Sequence, residues 1–493
     1  MTHARFSRRY FFFGALLAPA IPSAGASAAS SLKRAGYKSP NERLDIACIG
    51  AGGRAPTNIA GCAATENIVA FADVDDATAA PTYKLYEKAA RYRDFRRMLD
   101  KEGGNIDAVI ITTPDHTHAV AAIACMECGK HVYVEKPLTR TIWEARFLAQ
   151  AAEKYKVATQ MGNQGYSYEG ARIAAEIIWS GEIGNVRQVR AWTDRPIWDQ
   201  GIMTLPPEEK VPETLDWDLW LGPAEMRPFS SAYCPFQWRA WFDFGSGALG
   251  DIACHALGAV NMALRLGAPS SVEVVNQEGR SPYTFARRAE THFQFPARGA
   301  MPPVTIIWTD ACADGPPWRP PDLPANERLI GGAGSFGADG AIYTGGGPVK
   351  PGSAPSSAPP TGPFAKFYAR MRKSPDASGA IFIGDKGYLT SDNYGANVRL
   401  LPESRHKAYT LPPQVLTRSP GHYRDWIRAC KGGEPACSNF SVAGPFTEIV
   451  QLGSLAARFE GKLEWDSEKM RVTNRADANE YVRPKARKGW QIG

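Results

Sequence analysis

The sequence predicts a two-domain chain of mixed α/β class. An N-terminal doubly wound parallel sheet comes first, then an α+β domain built on a large, open, mainly antiparallel sheet. Three observations carry this reading. Over residues 43–165, short apolar runs alternate with stretches long enough for crossover helices. Those runs are largely apolar, of the kind that parallel strands covered on both faces require. After Gly165 the alternation stops, and several strand-like runs follow one another with few helices between them.

In chain order, the first element is an export signal at residues 1–28. Arg5, Arg8 and Arg9 form a basic start, and Tyr10–Ala18 is apolar but too short to span a bilayer. Ala24, Ala26 and Ala28 offer an Ala-x-Ala cleavage site. Ser7-Arg8-Arg9 followed by aromatics matches the twin-arginine type, whose export machinery carries proteins already folded, so the expected location is periplasmic or otherwise exported. Residues 29–42 read as a linker. "LDIACIG", "NIVAFADV", "DAVIITT", "HVYVEK" and "VATQMG" are the strands of the first domain, with a helical stretch between each pair.

The second domain takes residues 166–493. It opens on "GARIAAEIIWSGEIG", a helix ended by glycine, and the strand "VRQVRAWTDR". A Pro- and Trp-rich stretch leads to "GALGDIACHALGAVNMALRLG", a strongly apolar helix. "SVEVVNQ", "RAETHFQF", "VTIIWTD" and "AIFIGDKGYLTS" are then its further strands. Residues 313–379 interrupt the sheet as an insertion too rich in Gly, Pro and Ser to bury a core.

Composition narrows the function. The formal charge is +7, and removal of the signal takes three arginines and no acid, leaving +4. Basic and acidic residues are interspersed, so there is no nucleic-acid footprint. No segment after the signal is apolar for long enough to anchor the chain in a membrane. Nine cysteines argue against a disulfide framework, although Cys430 and Cys437 could pair after export. Cys125 and Cys128 form a C-x-x-C within a helical stretch, with no second pair at zinc spacing, and are read as core. No metal site is expected.

"CIGAGGRA" carries the first chemical signal. Gly50 and Gly52 hold the first two glycine positions of a dinucleotide fingerprint, with Ala55 as the small third residue and Gly53 and Arg54 completing the loop. Such a loop, following the first strand, lets backbone amides at a helix N-terminus meet a pyrophosphate. Asp73 ends the second strand, where a carboxylate accepts hydrogen bonds from a ribose and repels a 2′-phosphate. NAD is therefore expected over NADP.

"TTPDHTH" (112–118), "GKHVYVEKPL" (129–138) and "GALGDIACH" (247–255) resemble the Gfo/Idh/MocA oxidoreductases, named for glucose–fructose oxidoreductase and inositol dehydrogenase. "DWDLWLGPAEMRPF" and "HYRDWIRACKGGEPACSNF" resemble the exported, signal-bearing branch of that family. The resemblance implies that Glu135, Lys136 and Pro137 lie beside the nicotinamide, with Thr113, Pro114 and His118 near the cofactor. It implies His255 as the general acid/base, Lys136 polarising the hydroxyl or relaying its proton, and Asp251 orienting the hydroxyls or the histidine. Asp251 and His255, four apart on a helix, share one face, and an imidazole titrates near working pH. His116 and His118 form an H-x-H, read as a loop near substrate or nicotinamide.

Six tryptophans lie between residues 192 and 241, and aromatic faces stack on sugar rings. Trp238, Arg239 and Asp243, nearest to Asp251, are candidates for substrate contact. Tyr166 and His422 are further ones, with a structural role at a helix start equally open for His422. The expected function is oxidation of a CH–OH group of a sugar, cyclitol or sugar derivative, with tightly held NAD. Export in the folded state would let NAD leave the cytoplasm bound and be regenerated within each cycle. The alternatives are a redox-neutral glycosidase, lyase or epimerase working through a transient keto-sugar, and a non-catalytic member. By the resemblance the chain pairs with further copies through the open sheet.

Overall fold

The computed structural model describes residues 38–39, 41–312, 314–331, 370 and 376–493. Residues 1–28, read above as an export signal, and most of the Gly/Pro-rich insertion lie outside the described residues.

The first sheet has six parallel strands: β1 (Asp45–Ile49), β2 (Asn67–Ala72), β3 (Ala90–Tyr92), β4 (Ala108–Ile111), β5 (His131–Val134) and β6 (Thr159–Met161). Their order is β3-β2-β1-β4-β5-β6. Helices α1 (Ala55–Ala63), α2 (Asp76–Leu85), α3 (Phe95–Glu102), α4 (His118–Glu127) and α5 (Ile142–Tyr155) lie along the connections. Local chemistry sets their starts. The side chains of Asp75 and Asp94 accept from the amides of Ala77 and Arg96, and Thr141 with Glu144 forms a capping box on α5. The strand order reverses between β1 and β4, which opens a crevice at the carboxyl edge of the sheet, where doubly wound proteins bind ligands.

The second sheet has nine strands: β7 (Val186–Trp192), β8 (Ser271–Glu278), β9 (Arg288–Phe295), β10 (Val304–Thr309), β11 (Gly379–Gly384), β12 (Gly387–Asp392), β13 (Val398–Leu401), β14 (Leu463–Asp466) and β15 (Arg471–Val472). Only β7 and β10 pair in parallel. Val304, Ile306 and Trp308 point from β10 into the main core, the alternation that a one-sided sheet requires. Its helices are α6 (Glu169–Trp179), α7 (Trp217–Leu221), α8 (Gly247–Ala256), α9 (Gly258–Leu264), α10 (Glu403–Ala408), α11 (His422–Cys430) and α12 (Phe440–Ala456). The stretch predicted as one apolar helix is two, α8 and α9, bent by 54°. No described helix alone is long and apolar enough to cross a membrane.

Three further features depart from the sequence reading. The C-terminal helices return to the first domain: Tyr423, Trp426 and Cys430 of α11 pack with Ile46, Cys48 and Phe71, and α12 lies against α5. Within the insertion, Leu329 and Ile330 are buried against Trp192 and Ile381 on the outer face of the second sheet, so its start does contribute core. Cys430 and Cys437 do not pair. All nine cysteines are free, Cys430 inside that packed cluster and Cys437 accepting from Arg172 Nη2 at 2.8 Å.

Candidate active site

The glycine turn after β1 is shaped by backbone crowding. Gly50 has φ +89°, and a Cβ there would stand 2.4 Å from the carbonyl oxygen of Thr112 on the neighbouring strand. At Gly52 a Cβ would meet Thr78 at 3.0 Å. Ala55 starts α1 and is fully buried behind the loop rather than facing the cleft. No side chain caps α1; the Ala55 and Thr57 amides at its start donate to Gly52 O at 3.0 Å and Arg54 O at 3.2 Å, and residue 56 between them is proline. Asp73 accepts from the Ala51 amide at 2.7 Å and the Asp75 amide at 3.0 Å. Burial lifts its carboxyl to about 6, against the pull of those amides.

One cleft of about 590 Å³ runs from this turn, past Thr113, Pro114 and Glu135, to a chamber walled by the second domain. Lys136 enters it from the end of β5 and Asp251 and His255 from α8, so the three residues are brought together. Lys136 Nζ donates to Asp251 Oδ1 at 2.7 Å and to its backbone oxygen at 2.6 Å. Burial opposes charge on Lys136, but Asp251 holds its pKa above the ordinary value. Burial would likewise raise Asp251, yet the Lys136 and Arg239 cations hold it well below the ordinary carboxylate range. His255 is pushed well below 6.5, by burial first and by the Lys136 cation next, so its imidazole is neutral. Its Nδ1 is buried with no partner among the described residues, which leaves Nε2 to face the cleft, and Tyr394 packs 4.5 Å from its ring.

Behind Lys136, Glu135 accepts from Asn58 Nδ2 at 2.9 Å and lies 3.8 Å from Arg54 Nε. Two further polar atoms at the cleft wall, Thr113 Oγ1 and Gln164 Nε2, are buried without partners among the described residues. Such orphaned groups are what a bound dinucleotide and polyol would satisfy. The glycine turn, Asp73 and these atoms together fit NAD.

In the far chamber Arg239 lies 4.2 Å over the Trp238 ring and 3.5 Å from Asp251 Oδ1. Four other candidates lie elsewhere. Tyr166 is buried, with its hydroxyl engaged by Asn261. Asp243 pairs with Arg227. His422 is held by Ser167 and Tyr133, each at 3.0 Å, and fixes α11 to the first sheet. His118 sits between the carbonyl oxygens of Pro137 and Thr113, at 2.8 and 2.9 Å, and staples the loops from behind. Its neighbour His116 bonds Trp220 O at 2.9 Å, so neither histidine of the H-x-H faces the cleft.

Sequence reasoning passed over Asp115, whose carboxyl lines the cleft. Burial raises it to about 7, although Lys136 and Arg239 pull it down, and Ser246 Oγ donates to it at 3.0 Å. Its position between the Thr-Pro turn and the first histidine was the available signal. Trp198, one of the six clustered tryptophans, lines the chamber too, as do Arg195, Phe236 and Tyr394, which nothing local in the sequence marks.

Comparison with known proteins agrees with this geometry. Residues 44–163 match the model of an oxidoreductase family with an NAD-binding Rossmann fold, and residues 184–288 match the same family's C-terminal alpha/beta domain. Levoglucosan dehydrogenase of Pseudarthrobacter phenanthrenivorans is 28% identical over 33% of this chain and 34% of its own length. The scyllo-inositol 2-dehydrogenase (NAD(+)) of Bacillus subtilis is 29% identical over 36% of this chain and 55% of its own. The chain thus spans between a third and just over half of these relatives. In fold it is similar to the WlbA dehydrogenase of Bordetella pertussis solved with NADH and UDP-GlcNAcA. The TM-score is 0.55 at 13% identity, over 86% of this chain and 99% of that one.

Proposed function

The chain belongs to the Gfo/Idh/MocA oxidoreductase family, and from that premise we propose that it oxidises a CH–OH group of a sugar, cyclitol or sugar derivative with NAD. The observation that carries the reading is the convergence of Lys136, Asp251 and His255 at the mouth of a dinucleotide cradle. The activities of its dehydrogenase relatives support oxidation over a redox-neutral hydrolysis.

NAD, when bound, supplies the hydride acceptor. The chain supplies the rest. Lys136, charged and fixed by Asp251, donates from Nζ to the carbinol oxygen and steadies the negative charge that grows there. His255, kept neutral, accepts the hydroxyl proton at Nε2 and returns it in the reverse direction. Asp251 keeps Lys136 in place, and the aromatic chamber shields the ring from water. The ionised Asp73 disfavours a 2′-phosphate, which favours NAD over NADP.

The setting is also part of the proposal. The Ser7–Ala28 segment supports export through the twin-arginine route, with NAD already bound. By family resemblance the mature chain pairs with further copies through its second sheet. The test is a panel of sugars, cyclitols and aryl glycosides given to the purified mature protein. The expected result is reduced nicotinamide together with a keto product. Glycoside cleavage without net reduction, or no turnover of any polyol, would remove the oxidoreductase reading.

A further inference from the structure

The outer end of the cleft is not built by the first sheet alone. Where the chain leaves β2, residues 74–76 pair with residues 214–216 of the second domain. The Asp76 amide donates to Thr214 O at 3.1 Å and the Asp216 amide to Val74 O at 2.9 Å, with an antiparallel bridge between Asp75 and Leu215. Asp216 then caps α7 by accepting from the Leu219 amide at 3.0 Å, so this strap continues directly into a helix. The last residues of the chain close the same edge. Arg487 donates to Gly222 O at 2.9 Å and Asp218 O at 2.8 Å, and pairs with the Asp218 carboxylate. Trp490 turns inward, with the Arg96 guanidinium 4.3 Å over its ring and Phe95 at 6.2 Å.

Leu215, Leu219 and Trp490 line this end of the cleft together with Asp73, Thr78 and Phe95. We propose that these three residues form the outer wall of the adenosine site, and that the strap and tail make the dinucleotide a non-exchanging part of the folded chain. The inference rests on the NAD reading above. A flat base suits a wall of one aromatic and two aliphatic side chains. Its departure requires parting the backbone pairing at 74–76 and the Arg487 contacts, a barrier that slows exchange in both directions once the chain has folded around it. The seal also answers the supply problem of an exported chain, since nucleotide loaded before export would stay.

The experiment uses the full mature chain, purified without added nucleotide and dialysed. NAD released by acid is counted per chain by mass spectrometry for wild type, Trp490→Ala and Arg487→Ala, and thermal melting reports their folding. Wild type is expected to keep about one NAD per chain. Both variants should lose most of it, and their release of NADH, followed by fluorescence, should be faster by about tenfold or more. Trp490→Phe should retain it. Variants that hold nucleotide as wild type does would overturn the proposal. So would a wild type that loses NAD on dialysis yet binds it when added, a result that leaves the oxidoreductase reading standing. A wild type that neither holds nor binds NAD overturns that reading instead. Hydrogen exchange on wild type needs no variant: NAD should protect the Asp76 and Asp216 amides, and equal exchange with and without it overturns the seal.

Discussion

At the scale of residues, charge is divided between two groups that could each have handled the proton. Lys136 stays protonated because Asp251 faces it at 2.7 Å, while His255 stays neutral because burial and the same lysine disfavour its charge. Replacing His255 by Ala should lower kcat/KM by about 10²–10⁴-fold with NAD still bound. Lys136→Met should cost about 10²–10³-fold. Steady-state kinetics alongside nucleotide content checks both, and unchanged turnover in either variant would reassign the role.

Asp115 gives a sign that can be worked out. Its folded pKa is about 7 against the ordinary 3.8, so between those values the folded chain keeps a proton that the unfolded chain has lost. Stability from this group is therefore greatest at low pH and falls as pH rises towards 7. Asp115→Asn keeps an acceptor for Ser246 and removes the titration. Melting temperatures should show the variant gaining on wild type more at about pH 8 than at about pH 5. An equal difference at the two pH values would show that Asp115 is ionised throughout.

At the scale of elements, the site depends on where strands and helices begin and end. The turn leaving β1 works only because Gly50 accepts φ +89° beside the Thr112 carbonyl, and that contact is backbone against backbone, with no flexible side chain to yield. Gly50→Ala should destabilise the fold by about 1–3 kcal/mol and lower bound NAD, read by chemical denaturation and nucleotide content. A variant as stable and as loaded as wild type would mean that the loop relaxes elsewhere. Helix α8 was legible because its period puts Asp251 and His255 on one face, and the break before α9 leaves that face intact. The strands of the first sheet were legible for a related reason, since burial on both faces demands unbroken apolar runs such as "CI" and "VII". His118 misled because a histidine held between carbonyls looks, in one dimension, like one that meets a ligand, whereas His422 takes the helix-start role left open for it.

At the scale of the whole molecule, packing joins what the chain order separates. Helices α11 and α12 return from the C-terminal half to cover the first sheet, and Arg146 on α5 is held by Glu448 on α12. The same return carries Cys430 into a packed cluster and leaves Cys437 beside Arg172, so the two thiols are not joined. Burial raises the pKa of both, which slows their oxidation. Alkylation in denaturant without reductant should therefore add nine groups, one for each free cysteine. A mass short of two adducts would show that an oxidising compartment closes a bridge.

What the family resemblance implied of the trio Lys136, Asp251 and His255 stands apart from what the sequence by itself determined: the two domains' class, the glycine turn with Asp73, and Asp251 and His255 on one helical face. Each of these rests on short-range regularity: an apolar run, a glycine spacing, two residues one helical turn apart. Tertiary structure alone decided which groups share the cleft. Asp115, Arg195, Tyr394 and Trp490 reach it from four distant segments, while Tyr166, Asp243 and His422 are spent on packing or pairing. The physical reason is that a cavity is made where layers fail to fill the space between them. Its walls are therefore chosen by how whole sheets and helices pack, and no local pattern records that.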